Sequence, residues 1–433
     1  MRHRLTILSV MLAFTATLMA ATDGPQSTAK DGWSVNPVPA MAYDSDFGLM
    51  AGGFVDISYY GGLYPNYRHR ICLEALTYSK HASFYMFQYD SKYLIPGLRT
   101  SAKLFYDDNP LYWFYGFNGA VHDYDRNLNC NQDKGIAYYS YDRKFINARL
   151  EFEGALTSHL DWTARFSYWH YWINELNWEG YDSSNTLFRR YRRMGLIEDS
   201  EADGGSIMEF LAGLKYDTRN IESMPSNGIF ADLVLSIAPD IFNKGYDYLK
   251  LAARFRQYLS LASDRLVLAY SLAYQGTMAG NQPFYTQSYI INFKPSDGLG
   301  GATTLRGILY NRDMGNDYFW TNIELRTRLL ETNFLNRRVF GVLTPFFDAG
   351  AILQPFRFDS QIRKLYTDDN VSDQTIEQYR SAMLDKAREL HMSCGLSAQL
   401  VIDYNFVPSI TFGIPFDKRD GDYGLYMTLD YIF

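Results

Sequence analysis

From Phe319 to Leu329 the chain alternates between two chemistries. Phe319, Thr321, Ile323, Leu325, Thr327 and Leu329 suit an apolar medium, while Trp320, Asn322, Glu324, Arg326 and Arg328 carry mainly amides and charges. A period of two sends successive side chains to opposite faces of a strand, so the pattern predicts a strand with one apolar and one polar face. The alternation recurs along the chain. Ile146, Ala148, Leu150 and Phe152 oppose Asn147, Arg149, Glu151 and Glu153, and Met208, Phe210, Ala212, Leu214 and Tyr216 oppose Glu209, Lys215 and Asp217. The same reading gives Met392, Cys394, Leu396, Ala398, Leu400 and Ile402 one face of a later strand. One segment reads differently: within 354–388 and its edge, Ile376, Tyr379, Met383, Ala387 and Leu390 recur at helical spacing.

Counted this way the chain holds about sixteen strands, each with an apolar and a polar face, which is the pattern of a transmembrane antiparallel β-barrel. The expected fold is therefore all-β. The fifth strand is expected to end at Phe105, leaving Tyr112-Trp113-Phe114-Tyr115 in a polar loop, and the sixth to begin near Ile136. Connections after even-numbered strands are mostly short: Ile95-Pro96-Gly97, Ser158-His159, Ser263-Asp264 and Asn405. The long ones follow strands five, seven, eleven and thirteen, as expected for short periplasmic turns and long external loops. In the last strand Leu425, Met427, Leu429, Tyr431 and Phe433 form the outer face. Pairing it with the first strand would leave no free edge in lipid. Pro37 and Pro39 fall in or just before the first strand. Either they weaken this seam, because proline lacks an N–H, or they precede the paired segment.

Composition adds a location. Met1-Arg2-His3-Arg4 precedes an apolar run from Leu5 to about Ala20, the form of a secretory signal peptide. The domain reading is a signal peptide over 1–21, a short periplasmic segment over 22–34 and the barrel over 35–433. This organisation leaves no room for a separate N-terminal domain. The 36 tyrosines and 29 phenylalanines, with charged residues at only 21%, fit aromatic-rich strands. Cys72, Cys130 and Cys394 form neither a disulfide framework nor a zinc pattern. A net charge of −7 argues against nucleic acid as a partner. The basic run Arg189-Arg190-Tyr191-Arg192-Arg193 lies in a loop over 174–205, where it either meets anionic lipopolysaccharide or balances acids of the same loop.

Just before the alternating strand lies GLGGATTLRGI, Gly298 to Ile308. With Tyr216-Asp217-Thr218-Arg219, Glu324-Leu325-Arg326 and Phe346-Phe347-Asp348-Ala349-Gly350, it resembles the BamA/TamA superfamily of outer-membrane surface-antigen barrels. That resemblance implies a loop between strands eleven and twelve that folds into the lumen. Its motif residues are Gly300, Gly301, Leu305, Arg306 and Gly307, with Ile308 standing where the family carries an aromatic residue. The resemblance implies that Arg306 pairs with an acid of the inner wall. Asp348 is the first choice, with Glu324 and Asp403 as inward-facing competitors. Tyr431 and Phe433 resemble the C-terminal sorting signal of outer-membrane proteins. Assembly and secretion members resemble one another in carrying periplasmic POTRA repeats, for which the 22–34 segment leaves no space.

Three functions are weighed. The leading one is a non-enzymatic component of envelope biogenesis that moves lipid or protein into or across the outer membrane. Its expected partners are outer-membrane lipids and lipopolysaccharide, the assembly machinery for its own insertion, and a separately encoded periplasmic protein. A passive pore is the alternative, since a barrel of about sixteen strands is wide enough for water. A membrane-embedded hydrolase is the third. The chain lacks a G-x-S-x-G elbow and His-rich metal spacing, so no catalytic residue, cofactor or metal is expected.

Overall fold

The computed structural model describes residues 32–62, 67–117, 124–129, 134–193, 195–222, 224–291, 298–334, 337–355, 389–402 and 407–428. They form a closed antiparallel barrel of sixteen strands. The first eight are β1 (Trp33–Asp44), β2 (Gly48–Tyr59), β3 (His69–Tyr78), β4 (Ser83–Ile95), β5 (Leu98–Trp113), β6 (Ser140–Ala155), β7 (Leu160–Asn174) and β8 (Gly204–Asp217). The second eight are β9 (Gly228–Ala238), β10 (Tyr248–Ser263), β11 (Leu266–Gly280), β12 (Asp317–Phe334), β13 (Arg337–Gln354), β14 (His391–Ile402), β15 (Ser409–Pro415) and β16 (Gly424–Thr428). Each strand pairs with its neighbour in sequence, and β1 pairs with β16 to close the ring.

The two-faced strands explain the closure. In β12 the odd residues Ile323, Leu325 and Leu329 are exposed on the outside, while Trp320, Asn322, Glu324 and Arg326 are buried inside. Leu104, Leu150, Phe210, Leu233, Leu235, Leu396, Phe412 and Ile414 continue the outer apolar band around the barrel. In hydrocarbon every backbone N–H and C=O must be satisfied internally, which a closed ladder achieves and an open sheet does not. The inner wall carries opposed charges that pair across strands. Arg165 meets Glu151 at 2.7 Å, Lys215 meets Glu153 at 2.7 Å, and Arg254 pairs with Asp232.

Two strand expectations change. β5 does not stop at Phe105 but runs to Trp113, and β6 begins at Ser140 rather than near Ile136. Pro110 interrupts the alternation, and the β5–β6 register shifts between Asn109 and Tyr112. A bulge thus absorbs the proline and lets the strand continue. Pro37 and Pro39 do not precede the paired segment. They lie within β1, opposite Val55 and Gly53 of β2. β1–β2 pairing is unbroken over this stretch, because a strand residue directs its N–H and C=O to one side only. Gly32 offers its carbonyl to Tyr60, so even positions face β2; Ser45 donates to Leu425, so odd positions face β16. The two prolines therefore withhold donors from the closing seam alone. Among the described residues, β1 and β16 share one paired position, Asp44 with Tyr426.

The end of the barrel bearing the long connections is covered by aromatic packing. The 174–204 connection contains two short helices, α1 (Leu187–Arg193) and α2 (Asp199–Ala202), and the β11–β12 connection contains a third, α3 (Phe284–Gln287). Phe188 and Tyr191 of α1, Phe284 of α3 and Phe114 and Phe117 beyond β5 form one buried cluster with Tyr141. Phe114 meets the Tyr191 ring edge-on at 5.2 Å, and Phe188 stacks on Tyr141 at 4.7 Å. Such pairs gain about 0.5–1.5 kcal/mol beyond area burial. The arginines of α1 pair locally, Arg189 with Glu175 at 3.3 Å and Arg192 with Asp203 at 3.2 Å. The helix pattern around Ile376 to Ala387 lies outside the described residues.

Candidate functional site

The chain between β11 and β12 turns inward and forms a tight hairpin against the wall. Leu299 and Asp313 exchange backbone hydrogen bonds at 3.0 and 3.2 Å and so clamp its base. Gly300 has φ +113°, and a Cβ there would lie 1.9 Å from the Leu309 carbonyl oxygen, so glycine is required at this crossing. The Gly300 N–H donates to the Thr304 hydroxyl at 2.8 Å, and Thr304 donates back to the Gly300 carbonyl at 2.9 Å. At the tip Gly307 has φ +96°, and a Cβ there would meet the backbone of Gly413 at 2.6 Å. The loop thus touches β15 with no side chain between.

Beneath the tip is an apolar patch. Leu299, Leu305 and Ile308 pack with Ala273, Ile290, Tyr318, Trp320 and Ile352. Ile308 is fully buried there, so an aliphatic side chain fills the place where an aromatic was expected. Gly350 leaves room for Leu305, whose Cδ1 would lie 3.1 Å from a Cβ on that glycine.

Arg306 projects from the hairpin onto the wall. Its Nε and Nη2 donate to the two oxygens of Asp348 at 2.8 Å each, a bidentate pair. Its backbone N–H also donates to Asp348, at 3.0 Å. Nη1 donates to Glu324 at 2.6 Å, and Glu324 accepts a further bond from Arg326 at 2.8 Å. The guanidinium lies 3.7 Å over the Phe346 ring. Burial works against the Arg306 charge, but the Asp348 and Glu324 carboxylates more than compensate and raise its pKa above the ordinary arginine value. Two arginines and two carboxylates therefore make a neutral, buried quartet. Charge-assisted and bidentate bonds of this kind are the strong ones. Removing one member leaves an uncompensated buried charge, at a cost of about 3–5 kcal/mol.

The hairpin also reaches the closing seam. The Gly307 N–H donates to the Tyr426 hydroxyl at 3.2 Å, and the Leu309 N–H donates to the Asp420 carbonyl at 3.0 Å. Asn311 donates to the Tyr112 hydroxyl at 3.2 Å and ties the hairpin to β5. One loop thus contacts the β12–β13 wall, the last strand and the aromatic cover. Of the residues singled out in the sequence, the structure brings Arg306, Asp348 and Glu324 into direct contact and places Leu305 and the glycines in the hairpin that aims them. Asp403, Tyr431 and Phe433 lie outside the described residues. Phe346, Arg326 and Tyr426 were not foreseen as contributors. Phe346 and Arg326 could have been found by extending the inward parity of Asp348 and Glu324 by two residues.

A closed antiparallel barrel with an apolar exterior, a charged lumen and a loop anchored inside it defines a transmembrane β-barrel of the outer-membrane type. The chain belongs to the Omp85 superfamily, whose domain model matches residues 73–429. BamA from Haemophilus ducreyi lacking POTRA domains 1–3 superposes with a TM-score of 0.57 at 16% identity, covering 92% of this chain and 70% of that one. CdiB from Escherichia coli superposes with a TM-score of 0.56 at 12% identity, covering 94% of this chain and 66% of that one. At these identities the likeness is one of fold, and this chain spans only part of either protein's length. No curated protein matches the chain. The fold places the chain in the outer membrane of a Gram-negative bacterium.

Proposed function

We propose that this barrel is a non-enzymatic component of outer-membrane biogenesis, which passes lipid or protein through a seam between β1 and β16. The observation that carries the reading is the contrast at the seam. The lumenal hairpin is held by a buried ionic quartet on one side and touches Tyr426 of the last strand on the other. β1 meanwhile offers prolines where seam donors belong. A strand with missing ladder bonds opens at lower cost than its neighbours. The residues proposed to act are Arg306, Asp348 and Glu324 as the anchor, with Gly300, Gly301, Leu305 and Gly307 shaping the loop. Export through the 1–21 signal peptide, sorting through Tyr431 and Phe433, contact with outer-membrane lipids and lipopolysaccharide, insertion by the assembly machinery and a separately encoded periplasmic partner belong to the same proposal.

The test is a reversible lock. With the native cysteines replaced by serine, Tyr43→Cys and Met427→Cys lie one step along the register from Asp44 and Tyr426. In cells depleted of the native chain, the oxidised double variant is expected to fail to restore envelope integrity, and a reductant to restore it. Full complementation by the oxidised form would sink the proposal.

The passive-pore reading meets the aromatic cover and the anchored hairpin, both of which obstruct the lumen. In planar bilayers the native barrel should pass small, erratic currents that rise in Arg306→Ala. Large, steady unitary currents from the native barrel would favour the pore instead.

A further inference from the structure

A second buried cluster lies at the base of the hairpin and takes no part in the arginine anchor. Asp313 closes the hairpin, His391 opens β14, and Asp420 sits in the short turn Lys418–Asp420 between β15 and β16. All three side chains are buried, Asp313 and Asp420 completely. His391 Nδ1 lies 3.0 and 2.9 Å from the two Asp420 oxygens and 3.4 Å from Asp313 Oδ2. One ligand atom from each residue falls within 4.8 Å of the other two.

One observation sets this cluster apart from an ordinary buried ion pair. Neither oxygen of Asp313 accepts a hydrogen bond, although the residue is fully buried and faces the other two. A carboxylate without donors in such a place is costly unless a cation reaches it. Arg312 Nε stands 4.0 Å from Asp420 and donates to the Arg419 carbonyl at 2.8 Å, and the Arg419 guanidinium is held by Glu389 and Asp417 at 2.6 Å each.

We propose that Asp313, His391 and Asp420 bind one divalent transition-metal ion of the Zn2+ or Mn2+ class, clipping the lumenal hairpin to β14 and to the last external turn. One imidazole nitrogen and two carboxylate oxygens are the donors such ions accept. On binding, Nδ1 gives its lone pair to the metal and the ring proton resides on Nε2, so the imidazole stays neutral. An ion that binds the closed arrangement and not the open one stabilises the closed form in proportion to its occupancy. The site is distinct from the Arg306 anchor and stands whether or not the seam opens.

The test uses the full folded barrel, cysteines replaced by serine, stripped of metal in detergent and titrated with Zn2+ by calorimetry and Mn2+ by electron paramagnetic resonance. The expected result is one equivalent bound and a metal-dependent rise in unfolding temperature. Loss of a direct ligand exceeds the ~10–100-fold cost typical of losing an outer-shell partner. Asp313→Asn, which also removes the unbonded charge and so retains the fold, should therefore weaken binding by more than about tenfold and abolish the thermal shift. His391→Gln and Asp420→Asn should behave alike, with heat-modifiable gel mobility reporting folding for each. Equal uptake by the native barrel and a folded Asp313→Asn variant, or no uptake by either, would overturn the site.

Discussion

Two junctions of the same barrel are built in opposite ways. At β12–β13 fourteen positions pair, and four charges of the wall and loop neutralise one another beneath the hairpin. At β1–β16 the odd-numbered positions of β1, whose N–H groups face β16, include Pro37 and Pro39, which have no N–H to give. Both junctions meet the same outer medium, so lipid exposure does not explain the difference. The difference is one of anchoring: the loop is fixed to β12 and β13 by four buried charges, whereas the β16-facing edge of β1 lacks two donors. The hairpin touches both junctions, through Arg306 at the wall and through Gly307 at the last strand.

The contrast can be broken from its strong side. Asp348→Asn strips one carboxylate from the quartet and should destabilise the folded barrel by about 3–5 kcal/mol. Urea unfolding in lipid vesicles measures it. Arg306→Ala should cost a similar amount, and the double variant much less than the sum, because the two changes remove one interaction. Additive costs would contradict the anchor.

The link between the junctions is the next largest effect. Tyr426→Phe leaves the buried Gly307 N–H without its acceptor, a loss of about 1–3 kcal/mol. The account expects faster hydrogen exchange in 305–309 of this variant, with β12–β13 unaffected. The weak side can be strengthened instead. Pro37→Val with Pro39→Val restores two donors facing β16, each contributing about 1 kcal/mol if it pairs. Slower exchange of β16 amides would show it.

The smallest effect tests the cover against both. Glu201 of α2 accepts the Phe284 N–H of α3 at 2.7 Å, and burial raises its pKa from 4.5 to about 7. A raised acid pKa means that the folded state holds the proton more tightly. The contribution is therefore full below about 4.5 and is lost as pH rises through about 7. Protease susceptibility of the 187–202 segment should increase from pH 5 to pH 8, and Glu201→Gln should flatten that rise.

Much of this architecture is legible along the chain because a two-faced strand writes its period directly into the sequence. Ile323 and Leu325 outside, Glu324 and Arg326 inside, needed no three-dimensional information. The anchor was legible for a second reason: GLGGATTLRGI resembles the family's lumenal-loop motif, which implied that Arg306 meets an inner-wall acid, and strand parity turns Asp348 and Glu324 inward. What stayed hidden depends on contacts between distant segments. Tyr112 and Trp113 look like loop aromatics because Pro110 breaks the alternation, yet a bulge carries β5 past it. The cover assembles Phe114, Phe188 and Phe284 from three connections, and none of them shows a local period. Asp313, His391 and Asp420 likewise carry no shared spacing, so a search for ligand motifs passes over them.

The most direct measurement is hydrogen exchange of the native barrel in lipid vesicles, read strand by strand. The account predicts that amides of β16 and of the odd positions of β1 exchange on the order of a hundredfold faster than the Tyr318–Glu324 stretch of β12 paired with β13, a difference of about 2.7 kcal/mol in opening free energy. Equal protection of the seam and of β12–β13 would contradict it.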